Sequence, residues 1–192
     1  MPRVRLVSAT ENPMALLKLS AGECYQKEAT DKVIEHIINA GHLSVLEHCH
    51  ATFEVTCSIT VLLQLTRHRH FSFTVQSSRG SKLKGAYSHP NATINLYLQD
   101  DMNRYNDLLA LGHKCEDVAY LLPKGAEYKF IITGNFRAWF EYLPKRLCKR
   151  ASREHRQLAM LLLVELVKLC PEVFQKVRMN CKACNERGCS FV

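Results

Sequence analysis

At residues 51–60 the sequence is Ala51-Thr52-Phe53-Glu54-Val55-Thr56-Cys57-Ser58-Ile59-Thr60, with strictly alternating apolar and polar side chains. The odd-numbered positions are apolar and the even-numbered positions are polar or charged. A period of two is typical of a strand that buries one face and exposes the other. We therefore predict a half-buried β-strand here, and the fold must place this strand in a sheet with one covered face.

The segments around this strand show two other kinds of pattern. Apolar residues at helical spacing predict helices over residues 26–41, 61–66, 104–122, 152–169 and from residue 136 onward. Further strands are expected at residues 1–6, 92–98 and 128–133, with a loop at 81–87. Pro144 should end or kink the helix that starts at Phe136, since proline removes an interior hydrogen bond. Because helices and strands do not alternate strictly, we predict an α+β fold with a twisted, mainly antiparallel sheet flanked by helices.

Length and composition set limits on the class of protein. The 192 residues suit one domain over 1–192, with a Cys-rich tail from about residue 178. No segment approaches the roughly 18 uninterrupted apolar residues of a membrane span, and no export signal is visible, so a cytoplasmic protein without membrane contact is expected. Nine cysteines then suggest buried thiols or metal ligands more than disulfides, and the net charge of +8 favours anionic partners.

The most concentrated group of functional side chains follows the predicted strand. It comprises Gln64, the cationic segment Arg67-His68-Arg69, then Gln76, Ser77, Ser78 and Arg79. Guanidinium groups bind planar anions through paired hydrogen bonds, so this group suggests a site for phosphates or an electron-rich ring. A solvated basic loop is the simpler alternative, but the segment directly follows apolar Val61-Leu62-Leu63.

Two further segments accompany the cationic segment. Upstream stands His42-Leu43-Ser44-Val45-Leu46-Glu47-His48, and downstream stand Asn135-Phe136-Arg137 and Arg146. With Arg67-His68-Arg69 and the Ser77 and Arg79 spacing, these segments resemble the signature of the flavin-dependent thymidylate synthases (ThyX). The resemblance spans roughly residues 15–175, which is most of the chain.

The resemblance implies an enzyme and a set of small molecules. Members of this family methylate dUMP reductively to dTMP, with FAD as cofactor, methylenetetrahydrofolate as carbon donor and NADPH as reductant. In such chemistry the cofactor transfers the hydride, and the protein supplies orientation and electrostatics. The resemblance also implies a homotetramer in which the flavin lies between subunits, so that the site residues need not converge within one chain.

Arg146 is the expected catalytic residue. By position it resembles the family arginine that lies against the uracil ring and stabilises negative charge on it. A structural alternative is an arginine near a helix C-terminus that interacts with the helix dipole.

The resemblance assigns the other site residues to two groups. Cofactor contacts are expected from Ser44, Glu47, Arg67, His68, Arg69, Asn135, Arg137 and Glu141. Substrate contacts are expected from Gln64, Arg67, Gln76, Ser77, Ser78, Arg79 and Arg146. Glu47 could instead hold an arginine in place, or be a simple surface carboxylate.

Several positions differ from the family pattern. Ala119 stands where an arginine that contacts the nucleotide is often found, and Glu141 places a negative charge on the flavin side. One alternative is therefore a flavin-binding relative that acts on another pyrimidine nucleotide or is catalytically altered. A basic nucleic-acid-binding protein is a second alternative, although no reader motif is present and the aromatic residues do not interleave with the basic ones.

Metal sites are a weaker hypothesis. The pairs His48 and His50, and His68 and His70, have the spacing that places two imidazoles on one face of a strand. A tail motif is the better candidate, in which Cys181, Cys184 and Cys189 would need Cys170 or His155 as a fourth ligand. Histidine pairs with this spacing are more often incidental, and the resembled family needs no metal, so no metal is expected in the site.

Overall fold

The computed structural model describes residues 1–24 and 26–179, together with Cys181, Cys184 and Cys189. In this part of the chain four strands form one antiparallel sheet in the order β1-β2-β4-β3. The strands are β1 (Arg3–Ala9), β2 (His50–Ser58), β3 (Phe71–Val75) and β4 (Glu127–Asn135). The predicted α+β class with an antiparallel sheet is confirmed.

Helices account for most of the remaining described residues. They are α1 (Pro13–Glu23), α2 (Asp31–Asn39), α3 (Ile59–Leu65), α4 (Ala92–Ala110), α5 (Cys115–Val118), α6 (Phe136–Leu147), α7 (Arg153–Leu169) and α8 (Pro171–Phe174). Short 3-10 helices occupy Leu43–His48 and Ala119–Leu121. No helix among the described residues is long and apolar enough to cross a membrane.

The alternating stretch forms the central strand β2, as predicted, and its two faces differ in the expected way. Ala51, Phe53, Val55 and Cys57 are fully buried. On the opposite face, Glu54 forms ion pairs with Arg5 of β1 and with Lys129 of β4. One face of the sheet therefore packs against the helices, while the other is polar.

β2 ends at Ser58, two residues before the alternation does. The Ser58 hydroxyl accepts a hydrogen bond from the Val61 amide and so caps α3. The predicted short helix at residues 61–66 is thus confirmed but begins at Ile59. This local switch from strand to helix directs the following residues away from the sheet edge.

The cationic segment lies in the turn between α3 and β3, and an aromatic contact anchors this turn. Phe71 begins β3 and packs against Trp139, with ring centroids 4.4 Å apart. The opposing residue on β4 is Gly134, where an added Cβ would come within 2.3 Å of the Phe71 ring. Glycine at this position lets the ring lie across β4, which holds the cationic segment beside α6.

Some predicted elements are wrong or shifted. Residues 92–98 are not a strand but the first turns of α4, because the Asn91 side chain accepts from the Ile94 amide and caps a helix there. The range predicted as one helix at 104–122 is divided, since α4 ends at Ala110, two residues before Gly112 with a φ of 91°, and α5 and the second 3-10 helix follow. Helix α1 and strand β3 have no counterpart among the predicted elements.

The other predicted elements agree more closely with the structure. The helix predicted at 26–41 is present as the shorter α2, and the final helix matches α7 closely. Strands were correctly predicted near the N-terminus and at residues 128–133. Pro144 does not end α6, which continues to Leu147.

Candidate functional site

The cationic segment contains two exposed arginines and one half-buried histidine. Arg67 and Arg69 lie at the surface, whereas the His68 ring packs edge-on against Tyr142 with a centroid separation of 5.0 Å. Tyr142 lies on the buried side of α6. The segment therefore offers two solvent-facing guanidinium groups and directs one imidazole inward.

Arg146 meets that imidazole. It lies in the last turn of α6, and its Nε donates a hydrogen bond to His68 Nε2 at 2.9 Å. Burial, with smaller effects from Arg146 and Lys145, lowers the pKa of His68 to about 4, so the ring is neutral at neutral pH and can accept this bond. The structure thus joins the expected catalytic arginine to the cationic segment, 78 residues earlier in the sequence.

Gln64 is linked to the core by two residues, His155 and Tyr142, that were not among the predicted site residues. His155 of α7 lies with Nδ1 3.0 Å from Gln64 Oε1 and Nε2 3.0 Å from the Tyr142 hydroxyl. Both His155 and Tyr142 are buried. The available signal was the apolar face of α7, on which His155 shares a buried stripe with Leu158 and Leu162.

The start of α7 is fixed to the start of α3 by a buried carboxylate. Glu154 accepts from the Ser58 amide at 2.7 Å and also from the Ser58 hydroxyl. Hydrogen bonds to a charged acceptor are among the stronger ones in proteins. This connection sets the position of His155 relative to Gln64.

The expected flavin contacts from α6 and from the 3-10 helix at Leu43–His48 form a second group. Arg137 donates to Glu47 at 2.6 Å and to Glu141 at 2.9 Å, and these hydrogen bonds raise its pKa. Asn135 caps α6 by accepting from the Ala138 amide. These residues line a cleft of about 230 Å³ together with His70, which directly follows the cationic segment.

The remaining cofactor candidate, Ser44, is exposed on the same 3-10 helix. Glu47 is not an isolated surface carboxylate, because it forms an ion pair with Arg137 and so matches the alternative in which it holds an arginine in place. In addition, the carboxylate at Glu141 pairs with Arg137 rather than facing solvent alone.

The loop after β3 holds the third group. Gln76 donates to the Ser81 hydroxyl and to the Lys82 carbonyl, and the Ser77 hydroxyl accepts from the Gly80 amide. Gln76 and Ser77 thus shape the loop itself.

Further along this loop, Arg79 lies 3.8 Å from Glu116. Ser78 and Arg79 line a cleft of about 520 Å³ with Glu116, Asp117, Ala119 and Tyr120. Ala119, where an arginine was expected, therefore lies in the same cleft as Arg79.

Three of the histidines considered as metal ligands take part in hydrogen bonds with other side chains. His68 accepts from Arg146, His50 Nδ1 lies 3.1 Å from the Thr10 hydroxyl, and His155 lies between Gln64 and Tyr142. Within the described ranges, no three or more histidine, cysteine or carboxylate side chains form a group that could hold a metal ion. Most of the Cys-rich tail lies outside the described residues.

The sequence and the fold of this chain are similar to those of known proteins. Residues 5–172 match the family model described as thymidylate synthase complementing protein. The chain belongs to this family. A flavin-dependent thymidylate synthase from Mycobacterium sp. (strain KMS) is 30% identical over 90% of this chain and 83% of its own length. One from Sulfurisphaera tokodaii is 31% identical over 93% of this chain and 78% of its own.

A solved structure of a related protein has the same fold as this chain. Thymidylate synthase X from Helicobacter pylori, crystallised with FAD and dUMP, has a TM-score of 0.83 and is 20% identical. The match covers 94% of this chain and 100% of that one. The family recognised from the three sequence segments is therefore confirmed.

Proposed function

We propose that this chain is a flavin-dependent thymidylate synthase that converts dUMP to dTMP, with FAD, methylenetetrahydrofolate and NADPH. The observation that supports this most is the hydrogen bond between Arg146 and His68, because it brings the expected catalytic guanidinium to the cationic segment. Family membership and the named relatives point to the same reaction.

The chemistry of the side chains suits a flavin dinucleotide. Arg67 and Arg69 are exposed cations separated by one residue, and two such close cations suit a diphosphate. Asn135 and Arg137, at the start of α6, line a cleft with His70, so polar groups from two separate segments of the chain lie together there. When bound, the flavin supplies the hydride; this chain's residues bind and orient the reactants.

Arg146 is proposed as the catalytic residue. Because His68 is neutral, it holds the guanidinium by its Nε and leaves the two terminal nitrogens for a ligand. A fixed guanidinium against a pyrimidine stabilises negative charge on a ring oxygen, which makes the ring carbon more nucleophilic toward the methylene donor. The Tyr142 ring packs edge-on against His68 and supports that imidazole from the core side.

We propose that the nucleotide is bound by Gln64, Arg67, Gln76, Ser77, Ser78 and Arg79 in addition to Arg146. Gln64 and Arg146 lie near His155, while Ser78 and Arg79 line a separate cleft beside α5. A homotetramer accounts for this division, since one subunit could supply the first set and its neighbour the second. Light scattering tests it, and a monomer that binds FAD tightly would contradict it.

A cytoplasmic location is also proposed. Cys49, Cys57 and Cys170 are buried free thiols, which suits a compartment that keeps cysteines reduced.

The decisive experiment is an anaerobic assay of the purified protein with dUMP, methylenetetrahydrofolate and NADPH, in which the product is identified. Formation of dTMP is expected. A second candidate, action on another pyrimidine nucleotide, is favoured by Ala119 in the cleft of Arg79, and a panel of pyrimidine nucleotides tests it. A colourless protein that binds nucleic acid and no flavin would contradict both.

A further inference from the structure

Three side chains from three helices form a line of hydrogen bonds in the interior. Tyr142 of α6, His155 of α7 and Gln64 of α3 are joined by contacts of 3.0 Å each. His155 is fully buried and Tyr142 is 1% exposed, whereas Gln64 is half-buried. The line therefore runs from the core outward to a residue next to the cationic segment.

The protons along this line have one consistent arrangement. Gln64 offers its carbonyl oxygen, which only accepts, so His155 Nδ1 must donate. His155 Nε2 then accepts from the Tyr142 hydroxyl. The opposite arrangement would leave the buried Tyr142 proton without an acceptor among the described residues, at a substantial cost.

The protonation states agree with this direction. Burial, followed by Arg146 and His68, lowers the pKa of His155 to about 3, so the ring carries a single N–H at neutral pH. Burial also raises the pKa of Tyr142, which keeps its proton. Tyr142, Gln64, Arg146 and His68 surround His155, and Tyr142 and His68 are both neutral around pH 7.

The hydrogen bond from His155 also fixes the direction of the Gln64 NH₂ group. Its oxygen is held inward by His155, so its NH₂ group is directed away from the core. Gln64 is half-buried, and among the described residues its nitrogen neither forms a hydrogen bond nor is a buried unpaired atom, so it reaches the surface where a ligand can bind. An amide fixed in this way offers donors, not acceptors, to whatever binds beside Arg67 and Arg146.

We propose that His155, supported by Tyr142, is a positioning residue that fixes the Gln64 amide so that its NH₂ donates to an oxygen of the bound nucleotide. This inference rests on the proposed function. Without His155 the amide would rotate freely between two orientations, and one of them would present an oxygen to an anionic or carbonyl ligand. His155 would thereby favour ligands that present acceptors at this point.

The test measures dUMP affinity, FAD content and thermal stability of the FAD-loaded protein. His155→Leu removes both hydrogen bonds at similar volume, and we expect about tenfold weaker dUMP binding with FAD retained. His155→Asn keeps a donor near the position of Nδ1 and should stay within about threefold of the parent. His155→Gln places its donor near Nε2 instead and should resemble His155→Leu.

A double-mutant comparison separates positioning from simple packing. If His155 acts through Gln64, then Gln64→Ala with His155→Leu should bind dUMP no worse than Gln64→Ala alone. Additive losses would overturn the inference, and so would parental affinity in His155→Leu. If His155→Leu does not fold, equal dUMP affinities of the Asn and Gln variants would overturn it. A parent protein that binds FAD but no dUMP would contradict the proposed function itself.

Discussion

Arg146 and His68 meet at 2.9 Å, and the guanidinium Nε–H donates to a histidine that burial keeps neutral. An imidazolium could not accept this bond, and it would repel the arginine. The pair therefore orients the guanidinium while leaving its charge uncompensated. Such an arrangement suits a residue that must stabilise negative charge on a ligand.

Arg146→Lys should keep the fold and the FAD content but lose most turnover, by roughly a hundredfold or more. Lysine keeps the charge, but it lacks the planar donor that can bind His68 and a ring edge together. The loss should appear mainly in kcat, as expected for an interaction that is strongest in the transition state. Steady-state kinetics and stopped-flow flavin reduction by NADPH measure the two steps separately.

The matched control is Lys145→Gln, at the exposed neighbouring position on α6. It removes a positive charge without a contact to His68 Nε2, so turnover should stay close to that of the parent. A role of Arg146 limited to the helix dipole predicts that lysine substitutes well. Near-parental turnover of a folded, FAD-loaded Arg146→Lys protein would support that role.

Arg69→Ala and Arg79→Ala should separate cofactor binding from substrate binding. Arg69 is exposed in the cationic segment, while Arg79 lies in the cleft beside Ala119. Loss of a charge-assisted hydrogen bond weakens binding by roughly ten- to a hundredfold, so Arg69→Ala should lose FAD and Arg79→Ala should lose dUMP. Calorimetric titration checks both, with Arg104→Ala on exposed α4 as the control.

The sequence alone predicted the central strand, the helix after it and the family, because alternation over ten residues and fixed motif spacings are strong local signals. It failed at residues 92–98, where β-branched Thr93 and Ile94 favoured a strand but the Asn91 cap started a helix. It did not place His155 and Tyr142 beside Gln64, and it considered His155 only as a possible metal ligand. The apolar face of α7 predicts that His155 is buried, but its hydrogen bonds to Tyr142 and Gln64 join three separate helices, and no local pattern predicts such bonds.

Glu141→Gln should strengthen FAD binding modestly, by about two- to fivefold. Arg137 is shared between Glu47 and Glu141, so its charge is compensated before any anionic cofactor arrives. Removing one carboxylate frees part of that charge and also removes a repulsion. Fluorescence titration of the FAD-free protein measures the change, and unchanged or weaker FAD binding would show that Arg137 does not face the cofactor.

Glu154→Ala should destabilise the protein by about 2–4 kcal/mol. It leaves the amide and hydroxyl of buried Ser58 without their acceptor at the junction of β2 and α3. Urea unfolding measures the free energy, and Glu165→Ala serves as the control on the same helix. That residue forms only an i,i+3 pair with Lys168, so its loss should cost under about 0.5 kcal/mol.

Stability should fall as the pH is lowered from about 6.5 to 5. His155 has a pKa near 3 in the folded protein but about 6.5 when unfolded, so in this range the unfolded chain binds more protons. The stabilisation is complete above pH 6.5 and decreases by up to about 1.4 kcal/mol per pH unit, or about 2 kcal/mol by pH 5. His68, with a folded pKa near 4, should add to the same trend. Urea unfolding followed by Trp139 fluorescence at pH 7 and pH 5 measures the drop, which should be smaller in His155→Asn; an equal drop in both proteins would mean that His155 is not held neutral by burial.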